Sequence, residues 1–136
     1  MAELKTVFGD LGRTLIAVSI ISLPVLAIPL FFGEIYAFVP LIVTSAIFFI
    51  IGFILYMIFK NSSQTDFKSA MITAALSWVI IPIISTIPFI IIGIDKTNPG
   101  SHIDFLSALF ETMSGWTGTG LSMINQPSLL CYSLQF

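Results

Sequence analysis

Charge is missing from three long stretches of the chain. Residues 14–33, 35–59 and 69–94 contain no Asp, Glu, Lys or Arg, over 20, 25 and 26 positions. A helix rises ~1.5 Å per residue, so each run matches a hydrocarbon core ~30 Å thick. The pattern predicts three transmembrane helices. Glu34 alone separates the first two, which predicts a very short turn and a helical hairpin. Pro24 and Pro29 predict a kink in the first helix, and Pro82 and Pro88 a bend in the second half of the third. Pro40 falls in the first turn or so of the second helix, and Tyr36 and Tyr56 lie near its ends, where aromatic rings favour the interface. Residues 60–68 and 95–101 are polar and turn-rich, and read as loops. Residues 1–13 mix charges and predict a separate amphipathic turn or two at the surface.

Residues 105–124, FLSALFETMSGWTGTGLSMI, break this pattern. They are apolar enough for a membrane but too interrupted to cross it. Phe105, Leu106, Leu109 and Phe110 fall on one side of a short helix that also contains Glu111. Gly115, Gly118 and Gly120 follow, interleaved with Thr117 and Thr119. Glycine is poor helix material and admits backbone conformations that other residues resist. Non-helical backbone at membrane depth is tolerated only inside protein or beside a watery cavity. The stretch is therefore a candidate re-entrant, ion-coordinating loop. Ser101-x-x-Asp104 fits a capping box, which predicts a helix over 102–114 that ends at Gly115. Its C-terminus would carry partial negative charge and favour a cation. Beyond it, Thr117, Gly118, Thr119 and Gly120 are expected to run extended, with carbonyls aimed at one axis; such carbonyl rings replace the water lost by K⁺. Glu111 is expected to brace the loop by hydrogen bonds, and Trp116 to pack behind it. The plain alternative is a small-residue segment for tight helix packing.

Composition narrows the class. Charged residues make up 9% of the 136 and the mean hydropathy is +1.05. A soluble domain carries about 25% charged residues, so the chain reads as an all-α membrane protein: three transmembrane helices plus a re-entrant pore helix and filter loop. The net charge of −2 and the lack of a basic cluster give no reason to expect nucleic acid. Cys131 stands alone, which excludes a disulfide framework and a multi-cysteine metal site. No nucleophile, base and orienting group fall together, and no P-loop pattern occurs, so no enzyme and no cofactor are expected. His102 reads as a loop residue and Asp104 as part of the cap. Lys5, Arg13, Lys60 and Lys68 fall on one side of the predicted topology and Lys96 on the other. The positive-inside rule then places the N-terminus in the cytoplasm of a multi-pass cell-membrane protein, with the loop entered from outside. The long apolar run after Arg13 predicts a first helix that stays in the membrane rather than a cleaved signal.

The residues Phe110, Glu111, Ser114, Gly115, Trp116, Thr117, Gly118, Thr119, Gly120 and Leu121 carry a resemblance. FETMSGWTGTGLSMI resembles the first pore loop of the Trk/Ktr/HKT superfamily of K⁺ uptake proteins. The family reads roughly Phe-Glu-x-x-Ser-Gly-(aromatic)-Thr-Thr-Thr-Gly-(apolar), and Gly118 stands where Thr is frequent. The resemblance implies a selectivity filter at Thr117, Gly118, Thr119 and Gly120. K⁺ would bind through the carbonyls of Thr117, Thr119 and Gly120, with Glu111, Ser114, Gly115 and Trp116 in support. It makes Gly120 the filter glycine and points to K⁺, since some relatives with serine there prefer Na⁺. It implies a hairpin domain over 1–60, then the first outer helix and pore loop of repeat one over 61–136. The family continues into an inner helix and three more repeats, whereas residues 127–136 are too short to span a bilayer. The expectation is an N-terminal portion that supplies a quarter of a filter and does not conduct alone. Implied partners are membrane lipid, the transported K⁺, a second pore subunit and a cytosolic nucleotide-binding regulatory subunit. The competing reading is a small membrane accessory protein that packs against partner helices.

Overall fold

The computed structural model describes residues 2–60, 65–93, 102–124 and 130–135. Ser101, residues 61–64 and 94–100, and residues 125–129 lie outside them, so the expected Ser101 cap and most of both polar loops do too. Among the described residues the elements are helical: α1 (Ala2–Ser22), a 3₁₀ turn (Leu23–Leu26), α2 (Ala27–Phe32), α3 (Ile35–Phe59), α4 (Phe67–Ile92), α5 (Phe105–Thr117) and α6 (Tyr132–Gln135). Three helical stretches, Leu4–Phe32, Ile35–Phe59 and Phe67–Ile92, are long and apolar enough to cross a membrane.

The first span differs from expectation at its start. Residues 2–13 are not separate surface turns but the opening of α1 itself. Asp10 and Arg13 form an i,i+3 ion pair at 2.8 Å, the spacing at which helix neighbours meet. α1 stops at Ser22, two residues before Pro24, and the 3₁₀ turn carries the chain into α2. Pro40, Pro82 and Pro88 lie within their helices without ending them.

The described chain forms two compact units, each discontinuous in sequence. The first unites Met1–Ser22 with Ser45–Ile81. In it α1 runs antiparallel to the second half of α3. Phe8 stacks on Phe59 at 5.6 Å between ring centroids, the Ser19 hydroxyl donates to the Ser45 carbonyl at 2.9 Å, and Gly12 meets Gly52 between them. Numbers rise along one helix as they fall along the other. The glycines allow backbone to touch backbone, as small residues do between membrane helices. A methyl group on Gly12 would lie 2.7 Å from the Tyr56 nitrogen and 2.8 Å from the Gly52 oxygen. Val7, Leu11 and Leu15, one turn apart on α1, are almost wholly buried. Asp66 precedes α4, and its carboxylate accepts from the Ser69 N–H at 3.0 Å. Hydrogen bonding to the Ser69 side chain, then to its backbone, holds Asp66 below the ordinary carboxylate value.

The second unit unites Leu23–Thr44 with Pro82–Phe136. α2 ends at Gly33, whose φ of 72° is the left-handed region that favours glycine. The Gly33 N–H and, at 2.8 Å, the Glu34 N–H both donate to the Pro29 carbonyl, which turns the chain into α3. Ala37, Ile92 and Cys131 form a small buried cluster with Leu134 against it. Phe32 stacks on Tyr132 at 4.4 Å. Burial, and then the Glu34 carboxylate, push the Cys131 thiol up to about 11, so it stays protonated and unreactive at neutral pH. Among the described residues no buried side-chain nitrogen or oxygen lacks a hydrogen-bond partner.

Candidate ion-binding loop

α5 starts three residues later than the sequence suggested. Its N-cap is Asp104, in extended backbone, and its carboxylate accepts from the Ser107 N–H at 3.1 Å and the Ser107 hydroxyl at 2.6 Å. One side chain thus satisfies a free first-turn donor. These bonds, the side-chain one foremost, hold Asp104 below the ordinary carboxylate value. A depressed folded-state value means the cap's contribution is complete above the unfolded value and is lost as pH falls through the folded one. Protection of the Ser107 amide from hydrogen exchange, corrected for intrinsic rates, is expected to fall below about pH 4. In Asp104→Asn, which caps without titrating, it is expected to stay flat; equal acid sensitivity in both proteins would refute the assignment.

The helix also ends later than expected. Gly115 remains helical, because one glycine costs only about 1 kcal/mol in a helix. Thr117 is the last helical residue, and its hydroxyl donates to the Met113 carbonyl at 2.8 Å. Gly118 takes φ 66° and ψ 22°, its N–H donates to the Gly115 carbonyl at 3.2 Å, and the Thr119 N–H donates to the Ser114 carbonyl at 3.2 Å. This is a Schellman motif. Gly120 is left-handed as well, at φ 68°. Residues 117–120 are therefore a helix end and a turn, not one extended run.

α5 is fixed by a single stripe. Ala108, Thr112 and Trp116 recur every four residues, so they share a helix face. Ala108 is fully buried. The Thr112 hydroxyl donates to the Pro82 carbonyl at 3.1 Å, and the Trp116 indole N–H to the Ser85 hydroxyl at 3.1 Å. Leu106, Phe110 and Met113 lie toward the other side and are exposed.

Beyond Gly120 the chain doubles back. One Glu111 carboxylate oxygen accepts from the Ser122 hydroxyl at 3.0 Å and from the Met123 N–H at 2.6 Å. The Ile124 N–H in turn donates to the Ser122 hydroxyl at 3.0 Å. The loop is thus held at one end by the helix cap and at the other by Glu111. Between these ends Thr117, Gly118, Thr119 and Gly120 are exposed. The hydroxyls of Ser114 and Thr119 are 3.0 Å apart, and that of Thr117 reaches Thr119 at 3.3 Å. The arrangement gathers three hydroxyls beside exposed backbone, and oxygen is the donor type that suits a hard cation.

Two curated relatives match this chain. One is an uncharacterised cation transporter of Methanocaldococcus jannaschii, 25% identical over 134 residues, which are 98% of this chain and 26% of that protein. The other is the Trk system potassium uptake protein TrkG of Escherichia coli, 33% identical over 113 residues, which are 82% of this chain and 22% of that protein. The chain is distantly similar to cation transporters. It spans about a quarter of the length of each. No protein-family model and no solved structure matches it. With its three span-length helices, the chain reads as part of the multi-pass membrane class.

Three residues at the site escaped the sequence reading. Thr112 and Ser85 join α5 to α4, and their only sequence signal is the four-residue recurrence of Ala108, Thr112 and Trp116. Glu34 accepts hydrogen bonds from Tyr132 and Ser133. Its signal was present, since a lone carboxylate between two apolar runs is a functional candidate by default.

Proposed function

We propose that residues 102–124 are a pore helix and filter segment of a Trk-type K⁺ uptake protein in the cell membrane, with permeation passive and channel-like. In this reading the N-terminus is cytoplasmic, the loop dips in from outside, and α4 is the outer helix beside it. Several such loops facing one axis would complete the filter. A second pore subunit and a cytosolic nucleotide-binding subunit would be its partners. The observation that carries the reading is the closure of the loop by Glu111 onto the helix it leaves, with Thr117 to Gly120 exposed between. Likeness to two cation transporters supports it.

The test is K⁺-limited growth of an uptake-deficient host that carries the gene containing this sequence. Gly120 has open space around it, so a side chain there acts through its backbone and not through a clash. A non-glycine residue at this φ costs about 1–2 kcal/mol, which is expected to reshape the loop. Gly120→Ser and Gly120→Asp are each expected to raise the K⁺ needed for half-maximal growth about tenfold, the factor that 1.4 kcal/mol represents. Unchanged growth at equal membrane abundance would overturn the reading.

A further inference from the structure

Glu34 makes more contacts than its turn requires. The reversal between α2 and α3 is accomplished by Gly33 and the Pro29 carbonyl, neither of which needs a carboxylate. Yet the Glu34 side chain is buried, with 7% of its surface exposed. One oxygen accepts from the Tyr132 N–H at 2.9 Å; the other accepts from the Ser133 N–H at 3.0 Å and the Ser133 hydroxyl at 2.7 Å. Burying a carboxylate is costly unless donors surround it, and here all three come from one turn of chain. Charge-assisted hydrogen bonds of this kind are short and strong. The surroundings reinforce the grip. Phe32, two residues before Glu34, stacks on Tyr132, while Cys131 and Leu134 pack with Ala37 and with Ile92, the last residue of α4. α4 is also the helix that carries Pro82 and Ser85, the acceptors for α5. The segments before and after the loop are therefore both referenced to α4.

We propose that Glu34 is a positioning residue for the Gly118–Gly120 loop: it fixes residues 131–134 downstream, as Glu111 fixes residues 122–123. This rests on the reading of that loop as a cation filter. Glu34 touches no ion and acts through the turn it holds against Ile92 of α4, the helix on which α5 is set.

Uptake of K⁺ and of Na⁺ per molecule of membrane-inserted protein, from the gene containing this sequence, tests the proposal. Glu34→Ala is expected to lower the K⁺/Na⁺ ratio about two- to thirtyfold, the range over which residues touching neither site modulate coupling. Glu34→Gln keeps one acceptor oxygen and is expected to fall between Ala and the native protein. Ser133→Ala removes one bond of three and is expected to give a smaller shift in the same direction. Cys131, native and buried, reports the local event: it is expected to resist a maleimide in the native protein and to label in Glu34→Ala. Labelling of Cys131 with an unchanged ratio overturns the proposal, because the latch has then opened without effect on the loop. If Glu34→Ala fails to accumulate, Ser133→Ala decides, and a native ratio in it overturns the proposal. Gly120→Ser is measured alongside. A shift there with none at Glu34 ends this inference alone, whereas no shift at either position ends the filter reading as well.

Discussion

Gly12→Leu is expected to destroy the packing of α1 against α3. The methyl group alone would lie inside contact distance of two backbone atoms, the Tyr56 nitrogen at 2.7 Å and the Gly52 oxygen at 2.8 Å. Backbone of a continuous helix cannot step aside as a flexible side chain can, so the helices must separate. Separation stretches the Ser19 to Ser45 hydrogen bond on one side and the Phe8–Phe59 stack on the other. Overpacking of a core costs about 1–3 kcal/mol and occasionally more; two rigid partners put this case at about 3 kcal/mol or above. Gly52→Leu is expected to match it, because a methyl there would lie 2.8 Å from the Gly12 oxygen and 2.9 Å from the Ile16 nitrogen. Thermal unfolding in detergent reads the effect. Gly115→Ala is the control, a helical glycine with open space around it, expected to be neutral or stabilising by up to about 1 kcal/mol. If Gly12→Leu melts with that control, the glycine contact has no structural weight.

Glu111→Ala is expected to release the loop from α5 while leaving the helix in place. The two bonds lost end on one carboxylate oxygen, and the shorter is 2.6 Å. Hydrogen bonds to charged groups contribute about 1.5–3 kcal/mol each. Partial exposure favours the lower figure, so about 3 kcal/mol of local stability is at stake. Hydrogen exchange at the Met123 amide is expected to accelerate by about two orders of magnitude, since each 1.4 kcal/mol is a factor of ten. The Thr119 amide, held by the Ser114 carbonyl, is expected to change much less. Glu111→Gln keeps an acceptor oxygen and is expected to retain most of the protection. An unaltered Met123 amide in Glu111→Ala would show that the carboxylate does not hold the chain.

The features legible beforehand were those written in local pattern. Three charge-free runs became three span-length helices because length and apolarity alone specify such elements. Pro24, expected to kink the first span, falls just where α1 gives way to the 3₁₀ turn, because a missing N–H acts where it sits. The ends of α5 were less legible. Ser101 and Asp104 are both good caps, and choosing between them requires knowing which backbone is already helical. Gly115 and Gly118 are likewise both plausible stops, and the left-handed φ that decides for Gly118 has no mark in the sequence. Least legible were the long-range pairings. Nothing near Gly12 distinguishes a contact glycine from a tolerated one until Gly52 is brought opposite. Nothing near Glu34 names Tyr132 and Ser133, because two of the three donors are backbone groups that every residue carries.

The spacing of those pairings also dictates an order of events during synthesis. Glu34 precedes the amides it accepts from by 98 and 99 positions. Chains grow from the N-terminus, and early parts assemble first. α1 can close on α3 as soon as both have been made, whereas the carboxylate must wait. Until Tyr132 and Ser133 arrive it needs water or headgroups to solvate it, so the turn between α2 and α3 is expected to stay at the membrane surface meanwhile. The turn at Tyr132 and Ser133 then withdraws that carboxylate from solvent, which places the burial of Glu34 after the closure of α1 on α3.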